Sequence, residues 1–287
     1  MDNAQLKKCL SDDTVFNLIN KMFITLQDSE VKRNNVYLEL VVKTLIERMK
    51  SKDSLFEKAY KEIIFCGSFY KGTKVGHPNE FDLNIILKLP IICDSINYQN
   101  KTCYAIPLPL KDINSDATRW RLSFCNQEKE LLSKYGRIKP IIRQMKKLRD
   151  MQNWKSIASY FIETLFLNTL NKLEMDLDKI PSTLLFYMML KELRQACQQH
   201  KIPFFWDERY NLLGKIQDIE MFNIFSRLNN IIKIIEINIM TNKFILAEYI
   251  LTKHEMELLI AKQNSPAYSS SSKEDEPQEN GWSCIIL

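Results

Sequence analysis

Glu80 and Asp82 stand one residue apart in the stretch FCGSFYKGTKVGHPNEFDLNIIL, Phe65 to Leu87. In a strand, side chains at i and i+2 share a face, so both carboxylates point one way while Phe81 and Leu83 point the other. Neighbouring carboxylates repel, and a hard divalent cation relieves the repulsion by accepting their oxygens as ligands. Phosphoryl and nucleotidyl transfer use such cations to activate an attacking hydroxyl and to neutralise a leaving pyrophosphate. Gly67 and Ser68, at the end of the preceding apolar run, offer backbone N–H groups and a hydroxyl to nucleotide phosphates. Taken alone, the acid pair also fits a surface-facing strand edge after a turn. The order strand, Gly-Ser, loop, Glu-x-Asp, strand is more specific and points to a nucleotidyltransferase.

Two predicted strands, EIIFCGSFY and FDLNIILKLP, must hold these residues, with Gly72, Gly76 and Pro78 in the loop between them. Ahead of them, Val15, Leu18, Ile19, Met22, Phe23, Leu26, Val36, Leu40, Val41 and Leu45 have helical spacing. That spacing predicts one long helix from Thr14 to near Met49, closed by KSKDS. The stretch CDSINYQNKTCYAIPLPLKDINSD reads as irregular. From Asn126 onward the pattern is helical: NQEKELLSKYG, RIKPIIRQMKKLRDMQ, WKSIASYFIETLFLNTLNKL and STLLFYMMLKELRQAC. QQHKIPFFWDERYNLLGKI reads as a loop leading to two last helices, around Phe222–Met240 and Ile245–Ala261. The expectation is an α+β protein with two lobes. A mixed α/β lobe with a shortened sheet spans 1–125, an all-helical lobe spans 126–262, and 263–287 forms a polar, serine-rich disordered tether.

The composition of the 287 residues narrows the partners without naming one. A formal charge of +5 permits an anionic ligand, and 45% hydrophobic residues with six glycines suit a helix-rich globular chain. Seven scattered cysteines, with no CxxC or Cys/His cluster, signal neither a zinc site nor a disulfide framework. His77, His200 and His254 are too dispersed to form a ligand set. The polar N-terminus MDNAQLKKCLSDD has no signal-peptide core, and no apolar run reaches transmembrane length. The expected compartment is the cytoplasm.

The stretch GSFYKGTKVGHPNEFDLNIIL resembles the Gly-Ser and Glu-x-Asp elements of the cyclic GMP–AMP synthase-like receptors. The likeness continues, in the same order, through YAIPLPLKDINSDATRWRLSFCNQEKELL, SIASYFIETLFL and IPFFWDERYNLLGKI. It implies a two-lobed nucleotidyltransferase of insect type that senses double-stranded RNA and joins ATP and GTP into a cyclic dinucleotide for antiviral signalling. Carried over, Gly67, Ser68 and Glu128 would serve ATP, Arg121 and Ser123 the GTP pocket, and Glu80 and Asp82 magnesium or manganese. The family's third metal-binding aspartate lies on a later strand. Here only Lys88 to Arg119 fills that gap, and Asp94, Asp112 and Asp116 lack the expected strand context, so the catalytic core is abbreviated. Glu163 stands where the family commonly has a phosphate-pairing lysine. A carboxylate there repels a triphosphate unless it points to solvent and another lysine serves.

Lys134, Arg137, Lys139, Arg143, Lys146, Lys147, Arg149 and Lys155 form a dense basic run, and Lys32, Arg33, Lys43, Arg48, Lys50 and Lys52 add a second. A solvated helix surface accounts for such runs. With the resemblance, Lys139, Arg143, Lys146 and Lys147 are assigned to duplex RNA, which is held through phosphates and shape, with a dimer on RNA allowed. The vertebrate DNA sensor's His/Cys element is missing between Cys125 and Cys197, so no zinc is expected and the ligand tilts to RNA. The terminal CIIL matches a prenylation signal at Cys284, with Leu287 favouring geranylgeranyl and a membrane tether. The alternative reading is a catalytically inactive, prenylated nucleic-acid-binding protein.

Overall fold

The computed structural model describes residues 3–76, 80–88, 127–134, 136–170 and 179–264. The irregular segment, Asp94, Asp112, Asp116, Arg121, Ser123, His77 and the tail with Cys284 lie outside the described residues. Contacts divide the chain into two units, Met1–Thr25 with Leu132–Leu287, and Leu26–Leu131. The second boundary falls six residues after the expected 125/126 division, and the first 25 residues group with the helices rather than with the sheet.

The helical unit is built around α7 (Ile138–Met151). Ile138, Ile141, Ile142, Met145 and Leu148 recur at three- and four-residue spacing and are at most 1% exposed. α8 (Ser159–Leu170), α9 (Ser182–Gln198) and α10 (Asp218–Asn238) surround or extend that core. α1 (Asn3–Cys9) and α2 (Thr14–Ile19) precede it in sequence and pack into it. Asp13 accepts hydrogen bonds from the Ser182 and Thr183 backbone N–H groups at 2.9 and 2.8 Å, and so caps α9. Phe16 meets Phe186 edge-on at 6.2 Å between ring centroids. The side-chain Nε2 of buried Gln144 donates to the Phe16 carbonyl at 2.9 Å.

The single helix expected from Thr14 to Met49 is two. α2 widens into a π-turn at Asn20–Ile24, and Thr25 and Gln27 are extended before α3 (Asp28–Lys52) begins. The apolar spacing runs through the break, but its two halves serve different cores: Val15, Phe16, Leu18, Ile19 and Ile24 belong to the helical unit, and Val31, Val42 and Ile46 to α3. Two further differences lie near the end. The expected loop after α9 contains a short antiparallel hairpin, β3 (Pro203–Phe204) and β4 (Asp207–Asn211). Asn211 braces it by accepting from the Ile202 and Leu213 N–H groups and donating to the His200 carbonyl. The last expected helix is split into α11 (Ala247–Ile250) and α12 (Lys253–Gln263) by a capping box at Thr252 and Glu255.

In the other unit, Asp53 ends α3 and caps α4 (Ser54–Ala59) through the Leu55 and Phe56 N–H groups. β1 (Tyr60–Cys66) and β2 (Asp82–Leu87) pair antiparallel, with Cys66 opposite Asp82 and Ile64 opposite Asn84. The short α5 (Gly67–Lys71) leaves β1 directly, and the helical residues 127–134, α6, start after the undescribed segment.

Candidate active site

The turn from β1 into α5 places Gly67 at φ +76, in the left-handed region that favours glycine. A Cβ there would lie 1.7 Å from the Asp82 carboxylate oxygen Oδ2. Glycine is therefore demanded twice, by the backbone and by the carboxylate lying against it. The register of the ladder brings this about, because Asp82 opens β2 directly across from Cys66. Ser68 is half-buried in the following turn, and its carbonyl accepts from the Thr73 N–H at 2.8 Å. Gly72, at φ 72, closes that turn.

Glu80 does not share the strand with Asp82, since β2 begins at Asp82. Strand alternation therefore does not set its direction. Its side chain is 76% exposed and accepts from Lys74 Nζ at 2.9 Å. That hydrogen bond, with the attraction of the ammonium, holds the Glu80 carboxyl below its ordinary range, so it is ionised at neutral pH. Glu128, assigned to nucleotide by resemblance, is buried and ion-paired with buried Lys71 at 2.5 Å. Lys129 donates to the Phe65 carbonyl at 2.9 Å and ties α6 to the end of β1. The sequence reading missed these three lysines. Only Lys74, six residues before Glu80, left a local signal; Lys71 and Glu128 meet only in the folded unit.

The donor set suits a hard divalent cation, being carboxylate oxygens close in sequence to the Gly67–Ser68 turn. Among the described residues it stops at two carboxylates: no group of three His, Cys, Asp or Glu side chains is close enough to hold a metal. Glu80 and Asp82 supply the carboxylate chemistry of a cation site, and the described residues do not complete a ligand set around them.

The basic residues of α7 do not form the solvated face expected of a duplex-binding surface. Lys139, Arg143 and Lys146 are buried at 9%, 8% and 2% exposure. Half-buried Lys147 donates to Glu255 at 2.7 Å. The cause is α7's position: as the unit's central helix it is surrounded on nearly every side, so its lysines must find partners inside. Lys146 finds Glu163, at 2.6 Å, with both side chains at most 4% exposed. Glu163 thus neither faces solvent nor stands as an open negative charge. Burial would raise Glu255, but Lys147 and the Thr252 cap outweigh it and hold that carboxyl below its usual range. Lys32, Arg33, Lys43, Arg48 and Lys52 on α3 are exposed. No helix of the described residues is long and apolar enough to cross a membrane.

Comparison with known proteins places the chain beside a family. Residues 137–230 match the Mab-21 protein HhH/H2TH-like domain. The chain is 29% identical to a cyclic GMP-AMP synthase-like receptor of Microplitis demolitor, over 90% of this chain and 71% of that protein. It is 28% identical to one of Trichogramma pretiosum, over 90% and 80%, and 37% identical to one of Ctenocephalides felis, over 58% and 38%. The first two alignments run to 375 and 387 residues, longer than the 287 residues of the whole chain. This chain therefore carries large gaps against both.

Proposed function

We propose that this chain, which belongs to the family of cyclic GMP–AMP synthase-like receptors, is a cytoplasmic sensor of double-stranded RNA that joins ATP and GTP into a cyclic dinucleotide. The observation that carries the reading is the seating of Asp82 against Gly67 at the end of a two-stranded ladder, next to Ser68. A nucleotide phosphate approaching the Gly67–Ser68 turn meets backbone N–H groups and a hydroxyl, with no side chain at Gly67 in its way. Glu80 and Asp82 would hold magnesium or manganese, which supplies charge neutralisation for the leaving pyrophosphate and activation of the attacking ribose hydroxyl. Lys74 keeps Glu80 ionised before any cation binds, and buried Lys71 and Glu128 fix α5 against α6 so that the turn stays formed. Arg121 and Ser123 would receive the second nucleotide. Duplex phosphates would be met by the exposed basic side chains of α3, Lys32, Lys43, Arg48 and Lys52, in place of the buried lysines of α7. A geranylgeranyl group on Cys284 would add a membrane tether, one lipid needing further contacts for stable anchoring.

A second reading, a non-catalytic RNA-binding member of the family, is favoured by the large gaps against the longer relatives. One assay separates the two: purified chain with ATP, GTP, manganese and long duplex RNA, beside Asp82→Ala. An RNA-dependent cyclic product that vanishes in Asp82→Ala supports the synthase. RNA binding without product in either protein supports the second reading, and neither binding nor product overturns both.

A further inference from the structure

Val31, Val42 and Ile46 of α3 (Asp28–Lys52) are at most 8% exposed, whereas Val36, Tyr37, Leu40 and Val41 are 61–63% exposed and Leu45 is 52% exposed. At 3.6 residues per turn the five open side chains spread over about half the circumference, on the side away from the three buried ones. Together they make a patch of roughly 500 Å², the size at which exposed apolar area marks an interaction surface. α3 contains no glycine or proline, so the backbone presents the patch as one continuous helical face.

The charges around the patch say what fits it. Arg33 stands one turn before it, and Arg48 and Lys52 stand one and two turns after it, on the same open half. Glu47 is the one acid of that half between Arg33 and Lys52, and all four residues are exposed. On the adjoining flank, exposed Lys32 and Lys43 accompany exposed Glu39. Both stretches are net basic, so a second copy of this chain would meet like charge. The bases alone would serve duplex phosphates, but a duplex presents charge and polar groove edges and gives nothing in return for Val36, Leu40, Val41 and Leu45. An anionic bilayer favours both kinds of side chain. Its hydrocarbon edge accepts the apolar ones, its headgroups attract lysine and arginine, and long basic side chains reach from the one to the other. Tyr37, with an apolar ring and a polar hydroxyl, suits the boundary between them.

We infer that α3 is a membrane-interface helix, which lies on an anionic bilayer with Val36, Tyr37, Leu40, Val41 and Leu45 against the acyl chains and Arg33, Arg48 and Lys52 among the headgroups. A single lipid at Cys284 would need such a second contact. The binding by α3 itself depends neither on that lipid nor on the nucleotidyltransferase reading.

Flotation of the full, unprenylated chain, freed of nucleic acid, with vesicles of phosphatidylcholine alone or mixed with phosphatidylserine tests it. Binding is expected to the mixed vesicles only, and it weakens as salt rises. Arg33→Glu with Arg48→Glu lowers the affinity at least about tenfold, and Glu47→Lys raises it about fivefold or more. A gain of binding does not come from a damaged fold. Leu40→Ser with Val41→Ser leaves every charge in place and lowers vesicle affinity about tenfold, with duplex RNA binding unchanged. Binding to neither vesicle, equal binding to both, or indifference to the serine pair overturns the inference. If the serine pair destabilises the lipid-free protein or weakens duplex RNA binding, the face is covered by this chain or by RNA, and the inference falls. Lipid-free self-association that the serine pair abolishes gives the face to a second copy, with the same result.

Discussion

α7 and α3 invert what their compositions suggest. α7 carries Lys139, Arg143, Lys146, Lys147 and Arg149, and all but Lys147 and Arg149 are buried. α3 carries the run VYLELVVKTLI, and most of its apolar side chains face solvent. Burial is set by how many elements surround a helix as much as by what the helix is made of. α7 is enclosed, so its charges are retained inside with partners such as Glu163. α3 belongs to a unit whose described sheet has only two strands, and Val36, Tyr37, Leu40, Val41 and Leu45 stand exposed on it.

The comparison breaks most visibly at the buried ion pair. Lys146→Met leaves the Glu163 carboxylate without its ammonium in a site at most 4% exposed, and is expected to cost about 3–5 kcal/mol. Lys146→Met combined with Glu163→Leu removes both charges and should recover most of that loss. Denaturant unfolding of the three proteins measures both statements. A single substitution costing under about 1 kcal/mol would mean that α7 is not enclosed as described.

Next in size is the cap that joins the first residues to the helical unit. Asp13→Ala removes the acceptor of two backbone N–H groups and of the Thr183 hydroxyl, and withdraws a negative charge from the start of α9. A loss of about 1–2 kcal/mol is expected in the same unfolding experiment, with Asp13→Asn retaining part of it. No change would detach residues 1–25 from the unit.

These two sites also mark what the sequence could and could not disclose. The Gly67–Ser68 turn and Asp82 were legible because their spacing along the chain is local. The helix break at Thr25–Gln27 was not, because apolar spacing continues across it while the core it serves changes. The basic run on α7 was misread as a surface for the same reason: periodicity gives a helix its faces but not its number of neighbours. Glu163 and Lys146, on successive helices, carry no local sign of their pairing.

The third effect is pH-dependent. Glu255 has a lowered carboxyl, so the stability it gives α12 is fully present above the ordinary glutamate range and is lost as pH falls through its depressed value. Glu255→Gln removes the charge partner of Lys147 and weakens the capping box, and should cost about 1 kcal/mol at neutral pH. As pH falls through that depressed value the two proteins should converge, because Glu255 becomes protonated in both states. Melting curves from pH 7 to pH 3, read as differences between the proteins, check the sign (the wild-type advantage must shrink with acid).

The smallest effect is the sharpest statement about α3. Leu40→Ser on the open side should change the stability of the dilute monomer by no more than about 0.5 kcal/mol, since it removes little buried surface. Ile46→Val, a smaller chemical change six residues along, should cost about 0.5–1.5 kcal/mol because Ile46 is 5% exposed. The order of the two costs matters more than either size. If the serine variant loses more than the valine variant when dilute, Leu40 is covered within a single copy. The contrast with α7 would then reduce to which residues bury α3. If the order holds, and the gap narrows only when anionic vesicles are added, the cover on Leu40 is supplied by the bilayer.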